Sequence, residues 1–153
     1  MPPEIPHPCR LFLLDLDGTL IDSRADIVKS VNLALVRLQY SPIPETKAIQ
    51  FVGDGVSILM QRAIREAGGL EPEPDELNQG VEAFMMEYSN HHLDSTCLYP
   101  GVLEALDDIW WGAFAVVSNK PEGLSRRILE GLGLADRFCV IFGGDSCTTL
   151  RLA

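Results

Sequence analysis

At 153 residues the chain is long enough for one good core, or for a core carrying a small inserted module. Its composition is that of a folded domain, 46% hydrophobic and 22% charged. With 22 acids against 12 bases and a formal net charge of −10, the chain argues against nucleic acid, which needs a basic face, as a default partner, and no apolar run reaches the roughly 18–20 residues of a membrane span.

Residues Arg10 to Asp15 predict a first strand, apolar at every position from Leu11 to Leu14. A run apolar on both faces belongs in the middle of a parallel sheet covered by helices. Gly18 breaks it. Asp22 or Ser23 then caps a helix whose apolar positions Ile27, Val31, Leu35 and Leu38 recur at helical spacing, and YSPIPE ends it. A second helix follows Gly53 to Gly55, with Val56, Leu59, Met60, Ala63 and Ile64 on one face. GGLEPEPDE is a break, its EPEPDE a solvated loop. Leu77, Val81, Phe84, Met85 and Tyr88 mark a third helix, with Met85 in the core and Met86 at its edge. Between Arg24 and Tyr88 there is no strand signal.

After Pro100 and Gly101 the pattern changes. Val102, Leu103, Leu106 and Ile109 mark a short helix, and AFAVVS (113–118) is a second buried strand. Pro121 suits a first helical turn, and Leu124, Ile128 and Leu129 give the next helix its buried face. Gly131 and Gly133 end that helix before a third strand, FCVIFGG (138–144). This order predicts an α/β fold, a Rossmann-like parallel core of about three strands interrupted by a helical module. The core is assigned to residues 1–22 and 95–153, and the helical cap to 23–94.

Two aspartates, Asp15 and Asp17, close the first strand, followed by Gly18 and Thr19. Ligands of open α/β sheets bind at the carboxyl ends of the strands. Carboxylates this close repel unless a cation or a shared proton compensates, and Mg²⁺ favours carboxylates, waters and phosphate oxygens. One acid is then suited to attack phosphorus, and the other to pass a proton to the leaving oxygen and later activate water. Gly18 lets the backbone approach a phosphate, Thr19 offers a hydroxyl, and Ser118 and Asn119 end the second strand with further polar groups. Acids after a strand also serve merely as turn formers, and an isolated DxD would favour that reading.

The longer string is more specific. DLDGTLIDS after a buried strand resembles the first motif of the haloacid dehalogenase-like hydrolase superfamily, and VVSNKP resembles its second. FVGDGVSILMQRAI, YPGVLEAL and VIFGGDS extend the resemblance toward the phosphoglycolate phosphatase family, over nearly all of residues 10–146. The resemblance implies that Asp15 is the phosphorylated nucleophile and a magnesium ligand. It implies that Asp17 is the general acid/base, its backbone carbonyl also reaching the metal. Gly18, Thr19, Ser118 and Asn119 would hold the phosphoryl group, and Gly53, Asp54 and Gly55 would present a substrate loop from the cap. The implied substrate is 2-phosphoglycolate or a similar small phosphate ester, with Mg²⁺ as cofactor. An acid two residues after the nucleophile favours phosphoryl transfer over carbon–halogen cleavage, which has no leaving oxygen to protonate.

Two further motifs of the superfamily are not found. A lysine is expected after the third strand, and an acidic pair on a strand beyond it. GGDSCTTLRLA offers only Arg151 and, after Asp145, no acid; Lys120 already belongs to the second motif and is a poor substitute. The sequence therefore reads as a truncated or frame-disrupted member with SCTTLRLA as a foreign tail. Residues 11–14 would then form an exposed apolar edge prone to self-association. Phosphomonoesterases supply accelerations approaching about 10²¹, so weak activity or none is expected of this chain alone. The alternatives are a non-catalytic fragment of such an enzyme, or a phosphatase or mutase for another small phosphate ester.

The remaining features carry less. DDIWWGAFAVVS leaves little beyond Gly112 to join helix to strand, where about two to six residues are usual, and Trp110 and Trp111 are expected to pack on the sheet. His91 and His92 are expected at the surface, with no acid or cysteine at helical ligand spacing. Cys9, Cys97, Cys139 and Cys147 show no close pairing, which fits reduced thiols in a cytoplasmic protein without a signal peptide; Cys147 is expected to be an exposed thiol.

Overall fold

The computed structural model describes residues 11–146. Arg10, Cys9, Cys147 and Arg151 lie outside these residues. The described chain separates into two compact units, divided after Leu20 and after Cys97.

The strands and helices are, in chain order, β1 (Leu11–Leu14), β2 (Ile21–Asp22), α1 (Arg24–Arg37), α2 (Glu45–Ala48), α3 (Val56–Gly68), α4 (Pro74–His91), β3 (Cys97–Leu98), α5 (Val102–Asp108), β4 (Ala113–Val117), α6 (Glu122–Gly131) and β5 (Phe138–Phe142). The first unit holds a three-stranded parallel sheet in the order β1-β4-β5. Its register sets Phe12 beside Phe114 and Phe114 beside Phe138. Their rings meet at centroid distances of 5.6 and 6.5 Å. Phe114 and Phe138 are buried, each worth roughly 1.5–3 kcal/mol, and Phe12 is half-buried. α6 packs on β5 and closes this core with Leu124, Ile128 and Leu129.

The opposite sheet face is also apolar, but open. Leu11 and Leu13 are 49% and 65% exposed, and Val117, Val140 and Phe142 lie on the same face and are exposed as well. β1 is therefore an edge strand of the described sheet, as the family resemblance implied, and not the doubly covered central strand that its apolar run alone suggests.

The joint before β4 is tight for a physical reason. A Cβ on Gly112 would lie 2.7 Å from the Phe12 ring, so a larger residue there would have to displace that ring. Trp111 packs edge-on against Phe12 at 5.7 Å. Trp110 does not pack on the sheet; it is 83% exposed, because the turn sends it outward.

In the second unit, α4 packs against both α1 and α3. Ile27, Val31 and Leu35 from α1, Met60, Ala63 and Ile64 from α3, and Phe84 and Tyr88 from α4 are buried. Pro74 opens α4, its missing N–H falling where the helix has no partner for one, and Asp75 and Glu76 suit the positive helix end. The expected solvated loop thus gives way to helix from Pro74 onward. α2, β2 and β3 have no counterpart in the sequence reading, being shorter than the period that reveals an element.

Polar contacts pin this unit. Arg37 pairs with Glu87 across α1 and α4. Lys29 Nζ lies 2.7 Å from Asp94 Oδ2, and His91 Nδ1 lies 2.8 Å from the same oxygen. The Lys29 ammonium, then His91, hold the Asp94 carboxyl below its ordinary range. Acids thus do flank His91, Glu87 one turn before it and Asp94 three residues after, contrary to the sequence expectation.

The strongest polar anchor is Asp26, 1% exposed. Its carboxylate accepts the Ser95 N–H at 2.9 and 3.0 Å, the Thr96 N–H at 2.8 Å and the Thr96 hydroxyl at 2.7 Å. Replacing it strands several donors at once. Asp26→Ala should lower the unfolding free energy by about 3 kcal/mol in a urea titration. A loss below about 0.5 kcal/mol would mean the anchor is dispensable.

Candidate active site

Leu16 builds the turn that displays the two acids. Its side chain is fully buried, and its carbonyl accepts the N–H groups of Thr19 and Leu20 at 3.3 and 3.0 Å. Gly18 sits at φ +80°, a conformation costing other residues about 1–2 kcal/mol, with open space where a Cβ would stand. Asp15 and Asp17 flank Leu16 in different surroundings. Asp15 is exposed, one carboxylate oxygen accepting the Leu16 N–H at 2.7 Å. Asp17 is half-buried. Thr19 is exposed on the same turn.

Parallel pairing of Leu14 with Val116 brings the end of β4 to the same sheet edge as the end of β1. Ser118 is buried there, its N–H donated to the Phe142 carbonyl at 3.0 Å and its hydroxyl accepting the Lys120 N–H at 3.2 Å. Asn119 is exposed beside it. Lys120, set aside in the sequence as a poor substitute for the expected lysine, lies at this same edge. Its side chain is 5% exposed, and Nζ lies 3.3 Å from Asp17 Oδ2. The only sequence signal was a lysine at the carboxyl end of a buried strand, directly before a proline that starts a helix.

A third loop clamps this arrangement from below. Gly144 donates its N–H to the Lys120 carbonyl at 3.0 Å, and the Asp145 carboxylate accepts the Glu122 N–H at 2.7 Å, capping α6. The Ser146 hydroxyl accepts from Gly143 N–H and donates to Glu122, both at 2.7 Å. That hydroxyl, with Arg126, holds the Glu122 carboxyl below its ordinary range. A Cβ on Gly143 would meet Glu122 N at 2.1 Å, and one on Gly144 would meet Asn119 O at 2.6 Å. Backbone lies against backbone here.

Gly53, Asp54 and Gly55 belong to the other unit. Gly53 and Gly55 take φ values of +127° and +89°, and Asp54 pairs with Arg62 at 2.7 Å. The turn thus feeds directly into α3.

Among the described residues no group of three or more His, Cys, Asp or Glu side chains gathers as a ready-made metal cage. The donors at β1 nevertheless suit Mg²⁺. Asp15 offers hard carboxylate oxygens at the surface, and this cation is commonly bound by one or two carboxylates, with waters and substrate phosphate completing its shell. Asp17, paired with Lys120, has its backbone carbonyl to add.

Residues 12–150 match the haloacid dehalogenase-like hydrolase family. Among curated relatives, a phosphoglycolate phosphatase of Chromobacterium violaceum is 34% identical over 86% of this chain and 60% of its own length. One of Rhodospirillum rubrum is 35% identical over 90% of this chain and 59% of its own. The chain thus spans about 60% of the length of these relatives. A crystal structure of a predicted phosphoglycolate phosphatase from Haemophilus somnus 129pt superposes with a TM-score of 0.84 at 31% identity, covering 92% of this chain and 65% of that one. The Mycobacterium tuberculosis Protein Tyrosine Kinase A superposes at 0.73 with 29% identity, covering 93% and 62%.

The glycine clamp yields a paired prediction. Gly143→Ala should cost about 1–3 kcal/mol in thermal or urea unfolding, because backbone must move. Gly123→Ala, in α6 with nothing within 4 Å of its Cβ, should instead stabilise by about 0.5–1 kcal/mol. Equal effects at the two sites would contradict the clamp.

Proposed function

The chain belongs to the haloacid dehalogenase-like hydrolase family, and from that premise we propose that it is a phosphomonoester hydrolase of the phosphoglycolate phosphatase type. The observation that carries this reading is the unequal setting of two acids at one strand end, Asp15 exposed and Asp17 half-buried beside a buried ammonium. Two carboxylates with two environments take two chemical roles.

In the proposed reaction a carboxylate oxygen of Asp15 attacks the phosphorus of 2-phosphoglycolate or a similar small ester. The bond from phosphorus to the leaving oxygen breaks as the aspartyl-phosphate forms, and Asp17 supplies the proton to that oxygen. Asp17 then takes a proton from water, whose oxygen attacks phosphorus and returns Asp15 and inorganic phosphate. Gly18 keeps the turn open to the phosphoryl group, while Thr19, Ser118 and Asn119 offer donors around it. Asp15, with the Asp17 carbonyl, would hold Mg²⁺, which supplies charge neutralisation at the phosphoryl oxygens. Gly53, Asp54 and Gly55 are assigned to substrate selection from a helical cap, residues 23–94. The free thiols of Cys97 and Cys139 suit a cytoplasmic setting.

A second reading is supported by the donor count. With no third acid, cysteine or histidine beside Asp15 and Asp17 among the described residues, the chain alone would be a weak catalyst or a phosphate-binding relative. The exposed β1 edge supports self-association in either case, seen as concentration-dependent elution on gel filtration.

Phosphate release from 2-phosphoglycolate, with and without Mg²⁺, tests the proposal against an Asp15→Asn control. The expected result is slow, Mg²⁺-dependent release that Asp15→Asn reduces by at least about 10³-fold. Release that survives Asp15→Asn would refute the assigned nucleophile. Folded protein with no release above the control would select the second reading.

A further inference from the structure

We infer that Lys120 is the positioning residue of the acidic pair: its buried ammonium fixes the carboxylate of Asp17 at the sheet edge, leaving Asp15 to face the substrate. The inference rests on the phosphatase reading for its catalytic consequence, but not for the pairing itself.

A lysine is rarely buried, because withdrawing its charge from water is costly unless a partner compensates. Lys120 is buried, and Asp17 lies at 3.3 Å, close enough for a charge-assisted contact. The surrounding backbone leaves the lysine little freedom. Its N–H is donated to the Ser118 hydroxyl at 3.2 Å, and its carbonyl accepts the Gly144 N–H at 3.0 Å. Gly143 and Gly144 press on the same loop so closely that a Cβ at either would collide with backbone. Pro121 follows, with φ −53° setting the start of α6.

The ammonium is therefore carried on a loop fixed at both ends, and it stands at salt-bridge distance from Asp17. The consequence is geometric. An acid that must deliver a proton to the leaving oxygen and later accept one from water has to stay within hydrogen-bond reach of both. A half-buried carboxylate held by a fixed cation keeps its place between the two steps. Without Lys120, Asp17 can turn toward water or toward Asp15, and proton exchange slows while binding of the ester is little changed.

The test is a set of variants, Lys120→Met, Lys120→Arg, Asp17→Asn and Asp17→Asn with Lys120→Met, read by phosphate release from 2-phosphoglycolate. Lys120→Met should lower kcat about 10²-fold with KM within about threefold, and Lys120→Arg should recover all but about tenfold. The double variant should be no slower than Asp17→Asn alone, since the lysine acts only through that acid. Losses that multiply, or Lys120→Met with unchanged kcat, would overturn the inference. A second readout needs no turnover. In protein labelled with ¹³C at aspartate carboxyls, Lys120→Met should move the Asp17 resonance and leave that of Asp26 in place. An unmoved Asp17 resonance would overturn the pairing. A moved resonance in a wild-type protein that releases no phosphate would keep the pairing and sink the phosphatase reading. Should Lys120→Met fail to unfold cooperatively, Lys120→Gln takes its place in the same cycle.

Discussion

Two carboxylates separated by one residue at the end of a strand repel each other, and the fold must answer that repulsion. Here it answers half of it internally. Asp17 meets a buried ammonium from the neighbouring strand end, whereas Asp15 remains at the surface with one oxygen on its own backbone. Much of the first unit follows from this. The parallel register of β1 and β4 brings the two loops side by side, and the loop after β5 contributes the glycines that press on the lysine loop. The sheet order sets the two partners of this charge pair at neighbouring strand ends.

The helical elements were legible wherever apolar residues recurred over three turns or more. Ile27, Val31 and Leu35 in α1, and Leu59, Met60, Ala63 and Ile64 in α3, mark buried faces that the structure confirms. The strands β2 and β3, of two residues each, are too short to show any period. Leu11 to Leu14 show the limit of composition: four apolar residues announce a strand, but how much of it is covered depends on neighbours that periodicity does not reveal. Asp26 shows another limit. A polar residue on a helix face reads as solvated, and only the return of residues 95 and 96 to it turns it into a buried anchor.

The site was legible in part for the same reason. Asp15, Asp17, Gly18 and Thr19 are contiguous, so their motif is visible on the page. Lys120 lies far from Asp17 in the chain, and its meaning depends on strand order and register. Sequence reasoning sought a lysine after the third strand and weighed Lys120 as a poor substitute for it; that Lys120 pairs with Asp17 is visible only in the structure. Asp145 was likewise weighed only as an acid near a metal, while the structure gives it the cap of α6. A protein named as a tyrosine kinase shares this core, so specificity resides in the residues that meet the substrate and not in the fold.

The central claim is that Asp15, and no other residue, receives the phosphoryl group. Rapid quenching of the chain with 2-phosphoglycolate and Mg²⁺, followed by borohydride reduction and peptide mass spectrometry, addresses it directly. Reduction converts a phosphorylated aspartate to homoserine, and the account predicts that change at position 15 alone, absent in Asp15→Asn. Conversion at another acid, or phosphate release with none at position 15, would contradict it.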